Sequence, residues 1–203
     1  MGPYKNAVTF DPSYGLAWAA LADTYNMLGF YGFLKPEACL TQAKDAAMRA
    51  ITLSPLLGET HTSMAMSHLL HDWDRRASER EFLLALELSP RHTQVRYWYA
   101  LFLLHFASGR LKEGLSQAIQ VVESDPLSGW ARAMLACLYI MAGQLDEAVK
   151  MAEAAVQFEP ESFVSRWALP PLTPRNDTRK QPLLGNRSWP FRADIHGLWA
   201  RWH

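Results

Sequence analysis

The segment DPLSGWARAMLACLYIMAGQLDEAVKMAEAAVQFEP, residues 125–160, decides the fold. Apolar residues recur at helical spacing on both sides of Gly143, which predicts two short amphipathic helices joined by a tight turn. Ser128 is expected to cap the first helix, and Gly143 to end it because glycine accepts the left-handed conformation of a C-terminal cap. Pro160 cannot continue helical hydrogen bonding and ends the second helix. Neither helix can bury its apolar stripe alone, so the unit needs neighbouring copies.

Copies of this unit are marked by prolines that follow an acidic residue or a serine. Their intervals of 43, 35, 36 and 34 residues predict a helical array, with the prolines at Pro12, Pro55, Pro90, Pro126 and Pro160. The first interval is nine residues longer than the last, and we assign the excess to an aromatic loop at residues 29–36. The third interval has two extra residues before Gly109, which predicts an irregular turn or helix end.

Helices are therefore predicted at residues 14–29, 36–53, 57–70, 75–88, 92–107, 111–124, 128–142 and 145–158, and a ninth begins near Glu161. Residues 5–12 look like the end of a second helix whose first helix is missing. Because a repeat array normally begins with a capping element, the chain is expected to start inside a longer array, as a fragment.

These units resemble tetratricopeptide repeats. Trp18, Leu21 and Tyr25 stand where that family places Trp, Leu and Tyr, whereas His61 and His68 replace the Trp and Tyr of the second unit. The last unit matches the family at Leu135, Ala136, Tyr139, Gly143, Ala148, Ala155 and Pro160. The resemblance covers roughly residues 5–168. It implies an all-α, right-handed α-α superhelix, a solenoid of about four helix pairs.

The last 35 residues break the pattern, with five prolines, three tryptophans and six basic residues against two acidic ones. We therefore predict a helical repeat domain at 1–168 and a tail at 169–203 that is either disordered or frameshifted. A tail that binds acidic partners is the alternative.

Composition excludes several classes of protein. Lys plus Arg equals Asp plus Glu, at 20 each, so no overall field recruits nucleic acid. No apolar window is long enough for a membrane span, and no export signal is present. Cys39 and Cys137 are too few for a disulfide framework or a thiolate metal site, and both are expected to be buried. A cytoplasmic location follows as the expectation, without nucleic-acid or membrane partners.

Motifs for chemistry are missing from the sequence. It lacks a Gly-x-Ser-x-Gly elbow, a phosphate-binding glycine loop and a His-Glu-x-x-His pair, so we predict a non-enzyme without cofactors. His61, His68, His71 and Asp72 are the candidates for a metal site, since His68 and His71 share a helix face. Their spacing is loose, and packing and capping roles are preferred, so no metal is predicted. Residues 72–74, Asp-Trp-Asp, are expected to form a turn.

The resemblance implies that partners bind in a concave groove lined by the first helix of each repeat. The groove is mostly apolar in its later part, which favours an apolar peptide or helix anchored by Tyr97 and Trp130. The alternative is that neighbouring helices bury some of these residues. No carboxylate clamp is expected, because Ala19, Asp23 and Gln94 replace the required Lys, Arg and Asn. The predicted groove residues are Glu59, Thr62, Met66, Gln94, Tyr97, Leu101, Trp130, Ala133 and Cys137, and the same interpretation adds Leu16, Asn26, Leu69, Leu104 and Ile140.

A non-catalytic scaffold that binds a protein or peptide partner is the predicted function. Residues 96–100 and 125–128 are also similar to repeat regions attached to bacterial transcriptional regulators or kinases, so we expect a fragment of a larger bacterial regulatory protein. Self-association through open repeat ends is a further expectation. The alternatives are a catalytic or nucleic-acid-binding protein in its own right, and a degraded fragment without independent function.

Overall fold

The computed structural model describes residues 2–30, 32–162 and 165, except the side chains of residues 105 and 106, and all regular structure in that part of the chain is helical. The eight helices predicted between residues 14 and 158 are confirmed to within one residue at each end. The helices are α1 (Gly2–Phe10), α2 (Gly15–Phe30), α3 (Pro36–Leu53), α4 (Gly58–Leu70), α5 (Arg75–Leu88), α6 (Thr93–Trp98) continued by π-helical turns (Tyr99–Ala107), α7 (Leu111–Ser124), α8 (Gly129–Met141) and α9 (Leu145–Phe158).

Short connections pair the helices as α2 with α3, α4 with α5, α6 with α7 and α8 with α9. The all-α, helical-repeat class is therefore confirmed. The described residues divide into two compact units on either side of the Val95–Arg96 bond, and each unit has its own core.

Helix ends follow the local chemistry of the sequence. The Ser128 hydroxyl accepts a hydrogen bond from the Ala131 amide at 3.1 Å, so the predicted cap of α8 is confirmed. Gly143 ends that helix with a φ of 72°, in the left-handed region where glycine is favoured. Asp74 caps α5 by accepting from the Ala77 amide at 2.9 Å.

The first unit is held together by alanines at its helix crossings. Ala43, Ala46, Ala47 and Ala50 of α3 are almost completely buried, and such small side chains let α2 and α4 pack closely on α3. The larger side chains fill the remaining space in two clusters. One joins α1, α2 and α3 through Val8, Leu21, Tyr25 and Cys39, and the other joins α2, α3 and α4 around Ala22 and Met64.

The second unit repeats this construction. Ala133 and Ala136 of α8 meet Ala152 and Ala155 of α9, with Met134 and Met151 packed at the edge of the contact. Both cysteines are buried and free, Cys39 in the first unit and Cys137 in this one, as expected for small apolar side chains.

The extra residues of the first repeat lie mainly in its helices, so their assignment to a loop at 29–36 was wrong. Helix α2 is three residues longer than α8, and α3 is four residues longer than α9. Of the nine extra residues, two therefore remain for the connection between α2 and α3. Gly29 lies inside α2, and Cys39 and Leu40 pack so closely on it that a Cβ there would lie 3.1–3.3 Å from them. Pro36 occupies the start of α3, where its missing N–H costs nothing.

The two extra residues of the third repeat are absorbed inside its first helix. That helix changes at Tyr99 from α-helical to π-helical geometry, whose wider turns hold more residues. The predicted irregular helix end before Gly109 is confirmed.

The two ends of the chain differ in what the structure describes. Residues 2–10 are helical and pack on α2, so the predicted N-terminal helix segment is confirmed. Of the predicted ninth helix, Ser165 is helical, while Phe163, Val164, Trp167 and Ala168 lie outside the described residues. The predicted tail at 169–203 also lies outside them.

Candidate functional site

Polar side chains meet where α2 packs on α4 in the first unit, and we name this contact the polar crevice. The Ser63 hydroxyl of α4 lies 2.6 Å from Oδ1 of Asp23 on α2 and 3.2 Å from the Ala19 carbonyl oxygen. Asp23 as a residue keeps partial exposure, and the partner of its Oδ1 is a neutral hydroxyl.

Two carboxylates share this crevice. Glu59 lies one turn before Ser63 on α4, and its Oε1 is 3.5 Å from Nε2 of His92. Desolvation by burial, opposed by the hydrogen bond from Ser63 and assisted by the charge of Glu59, raises the pKa of Asp23 to about 7. No Lys or Arg side chain forms an ion pair with Asp23 in the part of the chain that the structure describes.

Asn26 lies three residues beyond Asp23 on α2, a spacing that places the two side chains on the same side of the helix. Its side chain is fully buried, and neither Oδ1 nor Nδ2 has a hydrogen-bond partner within the described residues. Most buried amides are paired, because an unsatisfied one costs about 1–3 kcal/mol. The crevice therefore contains an acceptor and a donor that the folded chain leaves unused.

The second unit presents an aromatic pair instead. The rings of Tyr97 and Trp130 meet edge to face, with centroids 5.3 Å apart and planes at 72°. Tyr97 is 4% exposed and so belongs to the core, while Trp130 is partly exposed at the start of α8. Such a pair fixes the orientation of Trp130 and leaves part of its indole ring accessible.

Six of the nine predicted groove residues are buried by the chain itself. Accessible surface remains on Glu59 and Gln94 in the first unit and on Trp130 in the second. The buried residues are Thr62, Met66, Tyr97, Leu101, Ala133 and Cys137. A partner can therefore reach only Glu59, Gln94 and Trp130 of the nine directly. The assignment of these residues to a partner-binding groove stays a prediction.

The histidine candidates separate into two places. His61 is buried, with Nδ1 2.7 Å from Glu81 Oε2 and Nε2 2.8 Å from the Pro55 carbonyl oxygen. The two contacts tie α4 to Glu81 of α5 and to the backbone at Pro55, which makes this histidine a structural bridge. The preferred packing role for His61 is confirmed.

His68 and His71 instead surround Asp72, with Nδ1 atoms 2.9 and 2.8 Å from its two carboxylate oxygens. Lys44 of α3 donates to the same carboxylate at 2.6 Å. Burial alone would raise the pKa of Asp72, but the hydrogen bonds from Lys44, His71 and His68 outweigh it and lower the pKa to about 2. Across the described residues, no group of three or more His, Cys, Asp or Glu side chains is arranged to hold a metal ion.

The turn at residues 72–74 is confirmed. Its two aspartates make hydrogen bonds, and its tryptophan has an unusual backbone conformation. Trp73 has a φ of 59°, which is unusual for a residue with a bulky side chain. Asp72 binds Lys44 and the two histidines, and Asp74 caps α5.

Sequence reasoning missed the glycines that begin the first helices. A Cβ on Gly58 would lie 2.7 Å from the Ala85 carbonyl oxygen, and one on Gly129 would lie 2.8 Å from that of Ala155. Gly15 makes the same kind of approach to Ser54. Each glycine stands three residues after a repeat proline, so the pattern Pro-x-x-Gly was an available signal for the close contact.

A shallow cleft between α7 and α8 in the second unit is separate from the predicted groove residues. It is lined mainly by polar side chains, including Gln120, Tyr139 and Gln144, together with Leu115 and Ile119. The charged side chains of its lining are Lys112 and Glu123, both on α7.

Helix pairs repeated along the chain, with small residues at their crossings and a proline after each second helix, define a helical-repeat protein. Residues 105–169 match the family model of the tetratricopeptide repeat. A search of curated proteins finds no significant match.

Solved structures extend this likeness over most of the chain. YrrB, described as a TPR protein with an unusual peptide-binding site, has 21% identity and a TM-score of 0.51 over 81% of this chain and 79% of its own. MamA has 18% identity and a TM-score of 0.52 over 78% of this chain and 85% of its own. Pseudomonas aeruginosa pilF has 18% identity and a TM-score of 0.53, over 75% and 67% respectively.

At these identities the likeness shows the fold, which is that of the tetratricopeptide repeat. Repeats of this kind generally bind protein or peptide partners and serve as non-catalytic scaffolds. Among the described residues, no helix combines the length and the apolar character needed to cross a membrane.

Proposed function

We propose that this chain is a non-catalytic interaction scaffold that binds a peptide or helix of a partner protein on the faces of its first helices. The observation that carries the proposal is the partly exposed, orientated Trp130, which packs edge to face on the buried Tyr97. An immobilised aromatic side chain offers a large contact area at little cost in conformational entropy, as binding hot spots do.

The polar crevice of the first unit supports the same proposal. Asp23, Asn26 and Glu59 carry hydrogen-bonding capacity that the folded chain does not fully use. YrrB, which has the same fold, is a TPR protein with an unusual peptide-binding site, so a linear peptide is the first ligand to test.

Selection from a phage-displayed library of random linear peptides on the immobilised full chain tests this function. We expect enrichment of a family of related peptides that bind the free protein reversibly in fluorescence anisotropy. Failure to enrich any sequence family, with a correctly folded target, would contradict the proposal.

Trp130→Ala tests the contribution of the aromatic anchor. We expect about a tenfold or greater loss of affinity for a peptide that binds the second unit, because buried aromatic anchors dominate binding free energy. Circular dichroism should show an unchanged helix content. If the variant unfolds instead, Trp130 belongs to the core, and its assignment as an anchor is wrong.

We further propose that these repeats are the interaction module of a larger bacterial regulatory protein that acts in the cytoplasm. The similarity of residues 96–100 and 125–128 to repeat regions of such regulators supports this origin. Sequencing of the flanking DNA tests it, since a neighbouring DNA-binding or kinase domain in the same gene is expected. Unrelated genes directly on both sides would contradict it.

A further inference from the structure

We infer that the crevice between α2 and α4 binds a lysine or arginine side chain of the partner segment, held by Asp23 and Glu59. This inference rests on the proposed peptide-binding function and specifies the chemistry of the ligand at the first unit.

Charge in the crevice is the first observation. Asp23 and Glu59 approach each other from facing helices closely enough for the charge of one to affect the other. The partners of Asp23 and Glu59 are Ser63 and His92, and within the described residues neither carboxylate forms an ion pair with a Lys or Arg. The carboxylates of Asp23 and Glu59 repel each other and Asp23 is desolvated, so an incoming cation offsets the repulsion and part of the desolvation cost of Asp23.

Asn26 is the second, independent observation. It is fully buried on the same side of α2, one turn from Asp23, and both polar atoms of its amide are unpaired. Its Oδ1 can accept a hydrogen bond from a guanidinium or ammonium group, and that bond would satisfy an atom that the chain alone leaves unsatisfied.

The donor set favours an organic cation over a metal ion. A bound divalent cation usually takes six or more oxygen ligands from carboxylates, carbonyls and water, and the described residues contain no group of three acidic, His or Cys side chains here. A long side chain from a partner brings its own aliphatic stem, which can lie along the partly exposed wall of the crevice.

Affinity for a basic side chain should depend on pH in a defined direction. The pKa of Asp23 is raised by its burial to about 7, so the carboxylate gains a proton as the pH falls through neutrality and loses its attraction for a cation. The other titratable groups that face this crevice are Glu59 on α4 and His92, which precedes α6.

A differential peptide selection tests the inference with the full chain. Random linear peptides are selected on the wild-type protein and counter-selected on an Asp23→Asn, Glu59→Gln double variant, whose side chains keep their shape and lose their charge. We expect the peptides that bind only the wild type to share a lysine or arginine at one fixed position. Replacement of that residue by glutamine should weaken binding at least about tenfold, as for charge-paired anchors.

Asp45→Asn is the matched control, because it removes one negative charge from an exposed position on α3 in the same unit. It should leave the affinity within about twofold, as expected for a distant exposed charge. An equal loss in this control would show an effect of net charge and would overturn the inference.

The outcomes separate the two proposals. Peptides that bind the wild type and the double variant equally, or wild-type-specific peptides without a basic residue, overturn the cation site and leave the scaffold function intact. No enriched peptide on either protein contradicts the scaffold function itself. If the double variant does not fold, the pH dependence of wild-type binding decides: affinity for the basic peptide should fall from pH 8 to pH 6, and a flat profile overturns the inference.

Discussion

Single residues at the start of the first helices set how closely consecutive helices approach. Gly15, Gly58 and Gly129 all begin a first helix, and each leaves no room for a Cβ beside the end of the second helix that follows in the same pair. At these positions the missing side chain is a packing requirement, since backbone and side-chain atoms of the neighbouring helix occupy its place.

Gly58→Ala is therefore expected to destabilise the fold by about 1–3 kcal/mol, the usual cost of overpacking a close contact. Its Cβ would lie 2.6 Å from Ser89 Oγ and 2.7 Å from the Ala85 carbonyl oxygen. The matched control is Gly2→Ala, whose Cβ meets nothing within 4 Å and should change stability by less than about 0.5 kcal/mol. Urea unfolding followed by circular dichroism measures both variants, and equal stabilities would show that the close approach is absent.

Local chemistry made some of these residues predictable and hid others. The roles of Ser128 and Gly143 follow from contacts within three or four residues of the chain, which a sequence displays directly. The Asp23–Ser63 contact joins residues 40 positions apart, and no local pattern indicates it. Burial of Met66 and Cys137 depends on neighbouring helices, so their apolar character alone did not separate groove from core.

At the scale of helices and turns, the polar bridge at Asp72 links α3 to the turn that follows α4. Its carboxylate accepts from Lys44 of α3 and lies within hydrogen-bonding distance of His68 and His71. These interactions hold the pKa of Asp72 at about 2, below its unfolded value, so the native state keeps this group ionised to lower pH than the unfolded chain does.

Asp72→Asn should lower the free energy of unfolding by about 1–2 kcal/mol at pH 7, since each unit of pKa shift corresponds to about 1.4 kcal/mol and the site is partly solvated. A depressed pKa stabilises the fold above the unfolded value and loses that effect as the pH falls toward about 2. The difference between wild type and variant should therefore shrink from pH 5 to pH 2 in urea unfolding. A difference that stays constant over this range would contradict the assigned role.

Helix boundaries were predictable because prolines and polar caps repeat with the helices, but the distribution of extra residues was not. Gly29 and Pro36 have low helix propensity and suggested a loop. Gly29 lies inside α2 in close contact with Cys39 and Leu40, and the first position of a helix tolerates Pro36. The π-helical turns at Tyr99–Ala107 were indicated only by the length of the third repeat.

At the scale of the whole molecule, our proposals assign a chemically different binding face to each of the two units. The first unit contributes carboxylates and an unpaired amide, and the second contributes a partly exposed tryptophan on an aromatic support. Under our proposals, the first unit selects a basic residue of a partner and the second unit selects an apolar anchor. Two distinct requirements give more discrimination between partners than either face alone.

The central claim is that partners bind on the first helices of the repeats, and site-specific photo-crosslinking tests it most directly. A photoreactive amino acid is placed at Glu59 on α4 or Ile140 on α8, which are partly exposed, and at Gln42 on α3 or Glu153 on α9, which are exposed. We predict that a library-selected peptide crosslinks to at least one first-helix position and to neither of the second-helix controls. Crosslinking confined to positions 42 or 153 would contradict the account.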